Sequence, residues 1–183
     1  WMQSIQVSKG ISSVKNGYEA ITGQINVEFK KPQLPEADWV SANLFASSTS
    51  RYEANADATL KLSKRWSTSL LAHYENETKA HDGNDDGFVD IPRVEQYNVW
   101  NRWAYMGDHY VFQAGFKALS ESRNSGQAHH AGMQSDDLYK VGIDTERYEL
   151  FTKNAYIFNK EKNTNLALIL SASWHNQDAM YGR

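Results

Sequence analysis

Cysteine is absent from all 183 residues, so disulfide frameworks, thiolate metal sites and cysteine nucleophiles are excluded. Proline is nearly absent too. Pro32, Pro35 and Pro92 are the three present, and none interrupts a regular run. No stretch approaches the ~18 consecutive apolar residues of a membrane-spanning helix, and mean hydropathy is −0.67. That excludes a helical membrane protein but not a transmembrane β-barrel, in which only alternate residues face lipid. Positive charge is in short supply: 19 Lys and Arg against 22 Asp and Glu give a net charge of −3, and no electrostatic case for nucleic acid. No G-x-S-x-G, H-E-x-x-H or phosphate-loop spacing occurs, so the expectation is that this is not an enzyme.

What the chain has in quantity is alternation. In RYEANADATLKL, residues 51–62, every odd position is polar or charged and every even position is Tyr, Ala or Leu. A period of two puts the two sets on opposite faces of a β-strand, whereas a helix would mix them around its circumference. Twelve residues is also long. Ordinary strands run to about five or six residues, and a tilted strand crossing a bilayer needs about 9–11.

The same pattern recurs over residues 39–47, 66–74, 97–105, 112–118, 148–158 and 166–174, which makes seven long strands. Shorter alternations occupy residues 4–9 and 24–31. Connections alternate in length: residues 63–65, 107–109 and 159–163 are short, and residues 76–93 and 122–144 are long. Residues 48–50 are the exception, a short link where a long one is due. Outer-membrane barrels have short turns at one end and long loops at the other. Aromatics crowd the short-turn ends: Trp39, Trp66, Trp103, Tyr105, Phe112, Tyr156 and Phe158 suit an interfacial girdle. The inward set, including Asp57, Lys61, Arg102, Arg147, Glu149 and Lys153, calls for a polar environment.

Two loops carry candidate ligands. In HDGNDDGFVDIP, Asp82, Asn84, Asp86 and Gly87 reproduce D-x-N-x-D-G, the start of an EF-hand-like calcium loop, with Asp90 as a further oxygen donor. The twelfth position is Arg93 in place of the bidentate Glu, so a true EF-hand is excluded and a helix-free Ca²⁺ loop is the reading, beside a plain acidic turn. In the second loop, His129, His130 and Met133 are candidate contacts for a transition metal or metal complex, at a spacing that matches no established site.

The first 32 residues resemble a known family. IQVSKGISSVKNGYEAITGQINVEFKKP follows the end of the plug domain of TonB-dependent outer-membrane receptors, roughly I-E-V-x-K-G-P-x-S-x-x-Y-G-x-x-A-x-x-G-x-I-N-x-x-T-K-K-P. Ile5, Val7, Lys9, Gly10, Ser13, Gly17, Ala20, Gly23, Ile25, Asn26, Lys30, Lys31 and Pro32 fall into that pattern; Ile11 and Asn16 depart from it.

The resemblance implies an all-β fold: an antiparallel meander forming part of a 22-stranded transmembrane β-barrel, preceded by the last strand–turn–strand segment of a plug. Residues 1–35 would close the plug and residues 36–183 would supply the first seven barrel strands. It further implies a Gram-negative outer membrane, contact with its lipid, and coupling to the TonB energy-transducing complex through a preceding segment. The function implied is active uptake of a scarce, large solute, a metal chelate, haem or cobalamin-like molecule sooner than a glycan. Trp1-Met2-Gln3 has neither a basic nor an apolar leader region, so the expectation is that either an export signal lies upstream or the protein is not exported. The alternative is a soluble or surface β-sheet module for binding or adhesion, and a third reading is an outer-membrane barrel enzyme.

Overall fold

The computed structural model describes residues 1–10, 23–32, 40–128, 138–162 and 164–182. Two short strands, β1 (Met2–Lys9) and β2 (Gly23–Phe29), pair antiparallel as a separate two-stranded sheet. Seven more form one antiparallel meander in chain order: β3 (Val40–Ala46), β4 (Arg51–Lys61), β5 (Trp66–Glu77), β6 (Arg93–Met106), β7 (Tyr110–Gly126), β8 (Lys140–Asn159) and β9 (Thr164–Gly182). Among the described residues no helix is long and apolar enough to cross a membrane, which leaves β-barrels unaddressed.

The strands expected from alternation all form, but the last four are longer than the periodicity suggests. β6, β7, β8 and β9 run to 14, 17, 20 and 19 residues. Their added length lies mostly at the long-loop end, where the outward positions become polar. Ser120, Ser122 and Asn124 on β7, Asp144 and Glu146 on β8, and Asn176 and Asp178 on β9 continue the outer face there. Polar outward residues, with Leu119, Val141 and Ile143 on the inner face, break the alternation a sequence reader follows, while backbone pairing continues regardless of side-chain polarity.

The ladder runs without a slip from β3 to β8, so residues opposed across it share a face. One such row is Asp57, Leu71, Trp100, Lys117, Glu149 and Ser173; its neighbour on the other face is Ala58, Leu70, Asn101, Phe116, Leu150 and Ala172. Meander topology places residues 47–50, 78–92, 127–128 and 138–139 at one end and residues 62–65, 107–109 and 160–162 at the other. Contacts between links confirm it. Val89 N donates to Gly126 O at 2.8 Å and Ala128 N to Gly87 O at 2.9 Å, tying the two long loops together. At the opposite end Met106 N reaches Arg65 O, and Asp108 accepts from both Arg65 and Lys160.

Burial is inverted relative to a soluble sheet. The face that is covered is the polar one: Asp57, Ser67, Ser69 and Arg102 are buried there beside Leu71 and Ala104. The uncovered face carries the large apolar side chains, with Leu44 81%, Leu168 54% and Leu170 55% exposed.

Candidate functional site

The covered patch of the polar face is where the two sheets meet. Lys30, just past β2, donates through Nζ to both carboxylate oxygens of Asp57, at 3.0 and 2.9 Å. Arg102 on β6 donates through Nη1 to Lys30 O at 2.5 Å, with Phe29 O at 3.5 Å. Its guanidinium also lies 4.7 Å from the centroid of Trp100. Phe29 meets Trp100 edge-on with centroids 4.8 Å apart, and Trp1 meets His73 at 6.2 Å. His73 Nδ1 and Asn55 Oδ1 are 2.8 Å apart. The hairpin is thus held by an ion pair, a guanidinium reading backbone carbonyls, and an aromatic contact.

Besides Phe45, Leu119, Ile143 and Ile169, the inner face carries three apolar residues out of phase with the polar alternation at its centre, Leu71, Trp100 and Phe151. They sit under or beside the hairpin, Leu71 opposite Trp100 in the ladder and Phe151 6.4 Å from the Trp100 ring. Sequence reasoning singled out Asp57 and Arg102 as inward charges but not Lys30 and Phe29 as their partners. The out-of-phase aromatics were the available signal, since an apolar side chain on a wet face implies a cover.

Beyond the hairpin the inner face carries several ion pairs, beside the exposed apolar side chains of Phe45 and Ile169. Arg51 contacts Glu53 and Glu75, at 2.5 and 3.2 Å, and His73 lies 3.7 Å from Glu75. Glu149 is shared by Lys117 and Arg147, and Glu121 by Gln96 and Arg123. Such mutual pairing lowers the cost of lining a partly enclosed space with charge. Ser69 Oγ, Asn98 Oδ1 and Arg102 Nε are buried without a hydrogen-bond partner in the described structure.

The outer face is banded. Trp66, Tyr105, Tyr110 and Phe112 cluster at the short-turn end, with Trp66 5.1 Å from Tyr105 and 6.1 Å from Phe112. Tyr156 and Phe158 adjoin them on β8. A second row, unnoticed in the sequence, lies toward the long loops: Tyr74 packs on Tyr97, and Tyr148 on Phe116 and Trp174. Trp66 and Tyr74, Tyr97 and Tyr105, and Tyr148 and Tyr156 are each eight positions apart. That is about 26 Å along a strand, or on the order of 20 Å along the axis of a barrel tilted by 35–45°. Of the residues expected in the first girdle, Trp39 lies outside the described residues.

Between the rows the outward side chains on β3 to β9 are Ala, Val, Leu, Phe and Trp, apart from Thr68, Asn101, Thr152 and Asn154. These four are satisfied internally. Thr68 Oγ1 donates to Arg102 O at 2.9 Å, Asn101 Nδ2 donates to Ser69 O at 3.1 Å, and Asn101 Oδ1 accepts from Trp103 Nε1 at 2.6 Å. Asn154 donates to Thr152 at 2.8 Å and accepts from the Tyr110 hydroxyl at 2.6 Å. These bonds pair the polar side chains of the band within the sheet itself.

The candidate calcium residues come together as a self-capped loop. Asp82 accepts from Asp86 N at 3.2 Å and Gly87 N at 2.9 Å. Asn84 Oδ1 accepts from Asp86 N, Asp86 Oδ1 from Phe88 N, and Asp90 Oδ2 from Gly83 N at 2.7 Å. Asp85 and Gly87 take positive φ, 57° and 86°, as this reversal requires. The donor chemistry suits a hard cation, yet every one of these side chains also holds the loop's own backbone, and among the described residues no three of His, Asp and Glu gather closely enough to hold a metal. Asp82→Ala is therefore expected to raise protease cleavage within residues 82–90 in the intact protein with or without calcium. Calcium binding stands as a separate proposal: millimolar Ca²⁺ would add protection in the parent chain and lose it in Asp86→Ala, and equal cleavage with Ca²⁺ and with chelator would end it.

Gly126, at the base of the second long loop, has φ 117°, and a Cβ there would meet Tyr139 O at 2.2 Å. Only glycine permits that approach, which seats Gln127 against Phe88. His129, His130 and Met133 lie outside the described residues.

The described residues define an all-β protein: a seven-stranded antiparallel meander with an apolar uncovered face and a two-stranded hairpin seated on its polar one. No family model, curated protein or solved structure matches the chain.

Proposed function

We propose that the seven strands are an arc of the wall of a transmembrane β-barrel, that the hairpin is the closing part of an internal plug, and that the protein is a TonB-dependent outer-membrane receptor. On this reading it takes up a scarce, large solute such as a metal chelate, haem or a cobalamin-like molecule. The observation that carries the membrane reading is the inverted sheet. Its exposed face is an apolar band between two aromatic rows, with polar residues beyond the upper row and every polar group inside the band internally bonded. Long loops gathered at one end and short turns at the other fit the same orientation. The plug assignment rests on the glycine-punctuated pattern of residues 5–32, together with the Lys30–Asp57 and Arg102 contacts. Energy would come from the TonB complex acting through a preceding plug segment.

The test uses the intact protein in bilayers containing brominated lipid. Trp103 and Trp174 on the outer face are expected to be quenched strongly, while Trp100, covered by Phe29, is not. A protein that stays monodisperse without detergent, with no quenching by lipid bromine, would instead be the soluble or surface binding module. The solute class is tested by disrupting the gene and supplying iron chelate, haem, cobalamin or glycan as the sole source. A growth defect on glycan alone would overturn the metal-complex assignment.

A further inference from the structure

The two ends of the sheet carry opposite charge. At the long-loop end, residues 78–92 hold Asp82, Asp85, Asp86 and Asp90 against Lys79. At the short-turn end, Lys61 and the three turns that follow hold Lys64, Arg65, Lys160 and Lys162 against Asp108 and Glu161. Asp108 is itself spent, accepting from Arg65 at 3.1 Å and from Lys160 at 3.5 Å, contacts that also join two neighbouring turns into one rim. A cleft of about 390 Å³ opens beside this rim toward the inner face, lined by Pro32, Lys61, Ser67 and Met106 together with Ser63, Lys64, Arg65 and Trp66. Trp66 belongs at the same time to the outward aromatic cluster with Tyr105 and Phe112. The turn cations Lys64 and Arg65 therefore adjoin, through Trp66, the edge of the apolar band.

We propose that this rim binds the head groups of anionic phospholipids in the leaflet at the short-turn end. The proposal rests on the membrane reading above. Charge complementarity selects the occupant. A phosphodiester carries negative charge and acceptor oxygens for Lys64, Arg65 and Lys160, and its acyl chains run down past Trp66 and Tyr105. A zwitterionic lipid offers the same phosphate with a cation attached, which these lysines repel. Each Lys or Arg held at an anionic membrane surface strengthens binding about fivefold.

The experiment is native mass spectrometry of the detergent-solubilised intact protein, offered phosphatidylglycerol and phosphatidylcholine of matched chains, with soluble polyglutamate as a third probe. The parent protein is expected to retain phosphatidylglycerol preferentially. Lys64→Gln, Arg65→Gln and Lys160→Gln together are expected to reduce that preference by more than tenfold. Lys79→Gln, at the other end, should change nothing. These positions are on exposed turns, and bromolipid quenching of Trp103 and Trp174 in the triple variant reports separately that the protein still inserts. Equal retention of both lipids by an inserted protein overturns the proposal and leaves the membrane reading intact. A preference that survives the triple variant overturns the location. Capture of polyglutamate without a lipid preference makes the rim a surface for an acidic protein, and overturns it as well. Failure of the parent protein to insert overturns both readings together.

Discussion

Leu168→Arg is expected to destabilise the membrane-inserted protein by about 2–4 kcal/mol, and Ser171→Arg on the same strand by far less. The two positions are three residues apart and look equally exposed, yet they point to opposite sides. Leu168 is paired with Asn154 and Ser171 with Phe151, so the first is in the apolar outer band and the second in the polar inner row. An arginine at position 168 must carry its charge into hydrocarbon or distort the strand to escape, whereas at position 171 it meets water and the Glu149 side. Ala56→Arg on β4 should behave like Leu168→Arg, because Ala56 lies in the outer row between Ala42 and Ala72. Asn55 is a poorer inner-face control than Ser171, since it bonds His73 beside Trp1. The measurement is denaturant unfolding from phospholipid vesicles, followed by tryptophan fluorescence. Equal losses at positions 168 and 171 would mean that the outer face does not meet lipid.

The second large effect is expected at the hairpin seat. Removing the Asp57 carboxylate leaves the Lys30 ammonium facing a covered wall with nothing to receive it. Breaking a fully buried ion pair costs about 3–5 kcal/mol, and because the Lys30 side chain keeps 31% of its exposure, about 1–3 kcal/mol is expected for Asp57→Ala. Arg102→Leu should add to this by leaving the carbonyls of Lys30 and Phe29 without their donor. The readout is amide hydrogen exchange over β2 compared with β5. Exchange in β2 should accelerate while β5, central in the ladder, holds. The double change Asp57→Leu with Lys30→Met should recover most of the loss, since it removes both charges together. Uniform acceleration across β2 and β5 would show that Asp57 supports the sheet generally and has no special part in seating the hairpin.

Much of this was legible in the alternation alone. Residues 51–62 announced a two-faced strand, and β4 forms over Arg51–Lys61 with its acids and amides on one side. The period-2 pattern is a local property, fixed by the pleat of each strand, so it survives without knowledge of any partner. The loop at residues 82–90 was legible for the same reason, because Asx turns depend on residues two to five apart. The lengths of β7 and β8 were not legible. Past Ala118 and before Tyr148 the outer positions turn polar while Leu119, Val141 and Ile143 fall on the inner face, so the pattern that marks a strand breaks while its hydrogen bonds continue.

The sequence by itself determined that this is a meander of long two-faced strands, which residues share a face, and which connections are short. Each follows from chain geometry over a few residues. Only the tertiary structure decided which face is covered, because alternation assigns side chains to two sides without saying which side meets water, protein or lipid. That decision is made by contacts distant in the chain: Lys30 on Asp57, Arg102 on the Lys30 carbonyl, and Phe29 against Trp100 seat the hairpin on the polar face. The opposite face keeps its leucines uncovered, and the hydrogen bonds of Asn101 and Asn154 are completed within it, which no local pattern could have disclosed.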